Sequence, residues 1–353
     1  MIKKYLSGLI VQDRCDVISR FIKGCLRGLS YVYFLGSRCI LLCYQAGILR
    51  QRYLAKPTIS VGNLTLGGTG KTPLVGFLAK MLQQKGRRPA ILTRGYMTSK
   101  HFSDEVALYC QMLHDIPVEQ GKDRVLSSRK ALQDHPDINV FLLDDGFQHW
   151  KVKRDLDVVT IDTTDAFSNG FLMPRGFLRE PLTALKRADV IVLTKVDLAP
   201  ENLSRVYQQI KANNFHAIFV EAVYQPIKLI NLKDPQQCHD PSFLAHKDVC
   251  LFSAIGNPKA FKKTVYDLKA NIQKTFSFLD HYVYTKEDIE RMMLRDRPKK
   301  TTIFVTTQKD AVKLEGLLSK VPPHIDLFAL AVEMKIIKGE KELERRIDSV
   351  LLC

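Results

Sequence analysis

Acidic residues are the scarce class in this chain. Its 353 residues carry 37 Asp and Glu against 53 Lys and Arg, a formal charge of +16. Such a surplus points to an anionic partner: nucleic acid, an acidic membrane surface or a phosphorylated substrate. The aromatic-interleaved basic motif of RNA-recognition modules is missing, which ranks nucleic acid low among the three. Paired cysteines are missing too. The eight cysteines, at 15, 25, 39, 43, 110, 238, 250 and 353, form no CxxC. Cys39 and Cys43 have no His or second pair beside them, so zinc is not expected, and the thiols read as reduced cysteines of a cytosolic protein. There is no internal repeat, no low-complexity tract and no signal-peptide pattern. With 46% hydrophobic and 25% charged residues the composition is that of an ordinary folded protein. The length suits two domains at about 100–200 residues each.

A clean apolar span is absent as well. Leu29 to Leu49 is nearly apolar but carries Arg38 at its centre, and a charge at mid-bilayer costs about 2.5–3.5 kcal/mol on insertion scales. A full membrane span is therefore disfavoured. The flanks are basic (Lys3, Lys4, Arg14, Arg20, Lys23, Arg27, Arg50, Arg52, Lys56). Apolar residues and tyrosines with a cationic rim fit a helix lying in the interface of an anionic membrane. The alternative is a helix packed on the folded domain.

What the chain does have is the run Thr65-Leu66-Gly67-Gly68-Thr69-Gly70-Lys71-Thr72, after the apolar run Thr58-Ile59-Ser60-Val61 and before a helix-like segment from Leu74 to Gln84. A glycine-rich turn between strand and helix aims several backbone N–H groups at one point, and the helix dipole favours negative charge there. Lys71 can reach a terminal phosphate and the Thr72 hydroxyl can ligate Mg²⁺. Thr65 stands where the full phosphate-loop pattern has glycine.

A second constellation is Val140 to His149, VFLLDDGFQH. Its apolar run ends in Asp144-Asp145, which puts two carboxylates at the end of a buried strand, the position from which an aspartate holds Mg²⁺ directly or through water. Gly146 permits a sharp exit, and Gln148 and His149 can return polar groups to the site. Asp104-Glu105 open a helix-like segment, and taken alone they read as acids compensating the helix dipole. Asp280-His281-Tyr282 follow a strand-like run and read as a base pair or a surface turn. Arg179 and Glu180, in a loop rich in Gly and Pro, could meet phosphate and metal or form a surface ion pair. Thr194-Lys195-Val196-Asp197 resembles the guanine-reading motif of GTPases, a common enough tetrapeptide that it carries little weight.

Between these motifs, apolar β-branched runs alternate with helix-like segments. Strands are predicted at Pro89–Thr93, Asn139–Leu143, Asp157–Ile161, Asp189–Thr194 and Ala217–Val223, with helices at Asp104–Leu113, Asp123–Gln133 and Glu201–Asn213. A polar stretch from Gln225 to Lys247 reads as a connection. The alternation then resumes through Val249–Ala254, Pro258–Ala270, Thr275–Leu279, Lys286–Leu294, Thr301–Thr306, Asp310–Leu318, Asp326–Val332 and Glu340–Leu352. This is α/β architecture with parallel strands covered on both faces, in two α/β domains divided near residue 224. Ligands on such sheets gather at the carboxyl ends of the strands.

Taken in order, the motifs resemble the tetraacyldisaccharide 4'-kinase (lipid A 4'-kinase) family. The matching segments are SVGNLTLGGTGKTP (60–73), LTRGY (92–96), SDE (103–105), LLDDGFQH (142–149), RDLDVVTID (154–162), GFLREP (176–181), LTKVD (193–197), SAIGNP (253–258), FLDHY (278–282) and TTQKDAVKL (306–314). The resemblance implies transfer of the ATP γ-phosphoryl group to the 4'-hydroxyl of a tetraacyldisaccharide 1-phosphate, giving lipid IVA at the cytoplasmic face of the bacterial inner membrane. It implies ATP and Mg²⁺ as cofactors, an acylated disaccharide lipid as substrate, no nucleic acid and no obligate protein partner.

It further implies two Rossmann-like, P-loop-type α/β domains with a cleft between them. The expected division is a membrane-associating helical segment at 1–56, an ATP-binding domain at 57–224 and a smaller domain at 225–353. By position, Thr65, Leu66, Gly67, Gly68, Thr69, Gly70, Lys71 and Thr72 would cradle ATP, with Gln148 and Arg179 supporting. Thr72, Asp144, Asp145 and Glu180 would surround the metal. Asp104 would be the base for the 4'-hydroxyl, oriented by His281. Ser103, Val106, Tyr282 and Gln308 depart from the residues expected at those places, glycine, proline, histidine and glutamate.

Overall fold

Each apolar β-branched run picked out in the sequence becomes a strand of one continuous sheet. The computed structural model describes residues 17–95, 104–113, 115–280, 282–298 and 301–352. Lys3, Lys4, Arg14, Ser103 and His281 lie outside these residues. The side chain of Asp104 is also outside the description.

The chain opens with helix α1 (Val17–Gln45), then alternates strand and helix: β1 (Thr58–Asn63), α2 (Lys71–Gln84), β2 (Pro89–Thr93), α3 (Asp104–Met112), β3 (Val118–Gln120), α4 (Arg124–Asp134), β4 (Val140–Asp144) and β5 (Leu156–Asp162). There follow β6 (Val190–Thr194), α5 (Pro200–Lys211), β7 (Ile218–Asn231), β8 (Cys238–His239), β9 (Asp248–Ser253), α6 (Pro258–Asp267) and β10 (Asn271–Ser277). The last elements are α7 (Lys286–Glu290), β11 (Ile303–Thr307), α8 (Gln308–Leu314), β12 (Asp326–Lys338) and α9 (Glu340–Leu351).

The sheet runs β10-β9-β11-β12-β7-β6-β5-β1-β4-β2-β3, with β8 paired to β7. Apart from the two-residue β8, which runs antiparallel to β7, pairing within each half is parallel, as the continuous apolar strands imply. The halves meet at an antiparallel seam where β12 runs along β7 from Phe328↔Asn231 to Lys338↔Glu221.

Two expectations fail at that seam. The stretch from Gln225, read as a connection, continues as strand to Asn231, and residue 224 lies inside β7. Strand β12 runs six residues beyond Val332, to Lys338. Outer residues such as Lys228 and Lys335 are polar because only one face of the ribbon is covered, and that masked the strand signal. The last helix also crosses back: Leu343 and Ile347 of α9 pack in the core cluster of Ile59, Leu74, Leu78 and Val192.

Helix α1 lies along the first half with Ser19, Ser30 and Leu41 buried. Phe21, Val32 and Leu35 are 73%, 67% and 61% exposed. Among the described residues no helix is long and apolar enough to cross a membrane.

Candidate active site

The phosphate loop joins the buried strand β1 to α2, and the sequence explains its shape. Gly67 and Gly70 have φ of +115° and +97°, where a side chain is strained. At Gly70 a Cβ would also overlap the Tyr224 hydroxyl. Thr65 is not in the left-handed region. It extends β1 by one bridge, antiparallel to Leu178, so no glycine is required there. Asn63 braces the loop by donating Nδ2 hydrogen bonds to the Thr65 carbonyl at 2.6 Å and the Thr69 hydroxyl at 2.8 Å.

The loop faces a cleft of about 960 Å³ between the two halves of the sheet. Residues 66 to 72 line it, with Arg94, Glu105, Asp145 and Arg179 from the first half and Gly256, Asn257, Phe261 and Lys309 from the second. Thr65, Asp144, Gln148 and Glu180 lie behind this lining.

At the end of β4 the two aspartates part. Asp144 is 2% exposed. Its Oδ2 accepts from the Thr93 hydroxyl at 3.4 Å, and among the described residues its Oδ1 has no hydrogen-bond partner. Burial and the charges of Glu105 and Asp145 raise its carboxyl to about 7. Asp145 turns the other way, with φ +54°. It lies 3.4 Å from the Lys71 amine, and both of its oxygens accept from Arg179 at 2.7 and 2.9 Å. Burial alone would raise its pKa, but Lys71 and Arg179 outweigh that and hold it down at about 2.

Behind this pair, Gln148 donates to the Asn63 carbonyl at 2.9 Å and to Glu180 at 3.1 Å. Arg187 also donates to Glu180, at 2.9 Å. Arg179 reaches Gln148 at 3.3 Å. Arg124, 2% exposed, donates to the carbonyls of Gly121 and Asp144. The buried Tyr109 hydroxyl faces Asp144, Glu105 and Thr72, and its pKa is raised by burial first and then by those carboxylates.

The second half closes on the loop directly. Gly256 lies so near Gly67 and Gly68 that a Cβ would overlap their backbone. Asn257 caps α6 and donates to Asp162 at 3.0 Å and Thr164 at 2.8 Å. Lys195, in the tetrapeptide that resembles a base reader, is 4% exposed. Its amine is paired with Asp162 and donates to the Gly68 carbonyl at 2.9 Å, so it braces the phosphate loop from beneath. Asp310, fully buried, accepts from Ala254 N–H at 3.1 Å, from Thr307 and from Lys313, which fixes the 254–257 turn.

Sequence reasoning missed Gly256, Asn257 and Tyr109 as parts of the site, and it read Lys195 as a base-recognition candidate where the structure has it bracing the phosphate loop. A usable signal existed for the first two, because SAIGNP follows a buried strand and ligands gather at strand carboxyl ends. Tyr109 gave none, since a buried tyrosine on a helix reads as core.

Around Asp144 the groups offered are oxygen donors, and among the described residues one buried carboxylate oxygen has no partner. This suits a hard cation such as Mg²⁺. Among the described residues no group of three or more His, Cys, Asp and Glu could hold a metal. A cation here would therefore take its remaining ligands from phosphate and water, the usual habit of Mg²⁺.

Comparison with known proteins agrees with this geometry. The model of the family "Tetraacyldisaccharide-1-P 4'-kinase" (LpxK) matches residues 22–352. A tetraacyldisaccharide 4'-kinase of Halothermothrix orenii is 31% identical, with 98% of this chain and 97% of the relative covered. One from Syntrophus aciditrophicus is 34% identical over 86% of each. The crystal structure of "apo" form LpxK from Aquifex aeolicus in complex with ATP superposes with a TM-score of 0.70 at 30% identity, covering 94% of this chain and 99% of that one. The chain is a member of the tetraacyldisaccharide-1-P 4'-kinase family.

Proposed function

We propose that this chain transfers the γ-phosphoryl group of ATP to the 4'-hydroxyl of a tetraacyldisaccharide 1-phosphate, giving lipid IVA in lipid A biosynthesis. The observation that carries this reading is the phosphate loop with Lys71 held 3.4 Å from Asp145 at the mouth of an inter-half cleft. Residues 66–72 offer backbone N–H groups and the α2 dipole to the triphosphate. Lys71 and Arg179 leave Asp145 for the phosphate oxygens as charge builds on the transferring group. Thr72, Asp144 and Asp145 would hold Mg²⁺, with Glu180 acting behind Gln148. When bound, the cation would neutralise charge on the phosphates.

Asp104 takes the proton of the attacking hydroxyl, and His281 orients it. Asp280, next to His281, is paired with Lys309 at 3.1 Å on the second-half wall of the cleft. A base assembled from both halves excludes water when the cleft closes. The working units are a helical segment to residue 56, a nucleotide-binding unit to about residue 224, the division falling within β7, and a smaller unit beyond whose last helix packs back on the first. The exposed apolar residues of α1, beside Arg20, Lys23 and Arg27, rest on the cytoplasmic face of the inner membrane, where a four-chain lipid is available. No nucleic acid and no obligate protein partner are needed.

The test is incubation of the purified protein with γ-labelled ATP, Mg²⁺ and the disaccharide 1-phosphate in detergent. A labelled lipid is expected, and its absence overturns the reading. Asp104→Ala or His281→Ala should lower kcat with little effect on ATP affinity.

A further inference from the structure

The helix that the kinase reading assigns to the membrane is also wired into the phosphate site. Its contact with the folded body includes two polar side chains. The Ser30 hydroxyl, 7% exposed, lies 2.8 Å from the Leu172 carbonyl, a hydrogen bond it shares with the Leu26 carbonyl of its own helix. It accepts from the Arg175 N–H at 3.1 Å. One turn on, the Tyr33 hydroxyl donates to the carbonyl oxygen of Arg179 at 2.9 Å. Burial and the nearby Glu180 raise the Tyr33 pKa above its ordinary value, so the hydroxyl remains a donor. Arg27 of the helix and Arg175 of the loop both stack on the Phe171 ring.

The loop held in this way is the one that shapes the site. Its residues 177–179 run along the start of the phosphate loop. Leu66 N–H donates to the Phe177 carbonyl and Arg179 N–H to the Leu64 carbonyl, each at 2.7 Å. Thr65 and Leu178 form a bridge between them. The Arg179 side chain then grips Asp145, which in turn holds Lys71. A continuous set of bonds therefore leads from α1 to the lysine of the phosphate loop, and Tyr33 makes the side-chain bond from α1 to the residue that carries the guanidinium.

We propose that Tyr33 is a positioning residue for phosphoryl transfer: by holding the Arg179 main chain it aims the Arg179 guanidinium at the reacting phosphates, so α1 serves the transfer step as well as any surface it rests on. The proposal rests on the kinase reading. The Tyr33 hydroxyl bonds the Arg179 carbonyl and not its guanidinium, so its loss should misplace Arg179 without removing a phosphate contact. Small displacements of a charged group cost turnover more than they cost binding.

The experiment compares wild type with Tyr33→Phe, Arg179→Ala and the double variant, using labelled ATP and the disaccharide lipid in detergent micelles. Tyr33→Phe is expected to lower kcat by about tenfold, the scale of one lost hydrogen bond, with KM for ATP within about twofold and a nearly unchanged melting temperature. In the Arg179→Ala background the same substitution should cost nothing further. An unchanged kcat, an equal loss in both backgrounds, or a loss confined to KM for the lipid would overturn the proposal. Hydrogen exchange reads the same contact without turnover. Faster exchange at the Leu66 and Arg179 amides is expected in Tyr33→Phe, and unchanged exchange counts against the proposal. A wild type that labels no lipid overturns the kinase reading, and exchange still decides whether Tyr33 holds the loop.

Discussion

Arg179 meets Asp145 with one guanidinium nitrogen at 2.7 and 2.9 Å from the two carboxylate oxygens, on the same carboxylate that Lys71 approaches at 3.4 Å. Both cations assigned to the proposed transfer step are thus held by one acid in this structure. Asp145→Asn should release them. ATP affinity is then expected to stay within about tenfold of wild type while kcat falls by about a hundredfold or more. Calorimetric titration and single-turnover kinetics check this. A collapse in ATP affinity would mean that Asp145 organises the cations for binding.

Asp144 gives the site a pH dependence whose sign is set by burial. Its raised pKa, about 7, means that near neutrality the carboxyl is partly protonated before a cation binds. A cation on the unpartnered Oδ1 displaces that proton. Mg²⁺·ATP binding at pH 6.5, measured in buffers of different ionisation enthalpy, should release up to about one proton, with less at pH 8.5 and none in Asp144→Asn. Equal release at both pH values would remove Asp144 from the metal.

Gly256 is 186 positions beyond Gly70 in the chain, yet it packs on the backbone of Gly67 and Gly68. Gly256→Ala should push the 254–257 turn off the phosphate loop. We expect ATP affinity to fall by about tenfold or more, because main-chain donors placed an ångström away lose the phosphate. A melting temperature near that of wild type would separate this from unfolding. Unchanged ATP binding would show that the two loops separate without cost.

His149 is pushed down to about 4 from 6.5, first by burial and then by Arg124 and Arg154. The folded state favours the neutral ring, so its contribution to stability is complete above pH 6.5 and is lost as pH falls from 6.5 towards 4. Asp144 acts in the opposite direction over part of that window, since its protonation favours the fold below about 7. Comparison between chains isolates the histidine. From pH 7 to 5 the melting temperature of wild type should drop by about a few degrees more than that of His149→Gln. Parallel curves would show that His149 is solvated.

The boundaries of legibility follow from range. Thr58–Val61, the glycine loop and Leu74–Gln84 form a local strand-turn-helix, and its periodicity and glycines are visible within 27 residues. The Asp144-Asp145 exit is local in the same way. Polar outer residues hid the continuation of β7 to Asn231, because a ribbon covered on one face alternates and interrupts the apolar run.

By itself the sequence determined the α/β class, the phosphate cradle, the paired acids and, through ten motifs in order, the family. These rest on backbone preferences and on the chemistry each residue carries wherever it lies. Tertiary structure decided which partner each acid received: Asp145 two cations, Asp144 a buried place beside Thr93 with one oxygen unpartnered among the described residues. It also decided that Lys195 and Gly256 support the phosphate loop and that Tyr33 reaches Arg179. Those contacts use main-chain atoms that every residue possesses, so no side-chain pattern announces them, and only the closing of the sheet brings them within bonding distance.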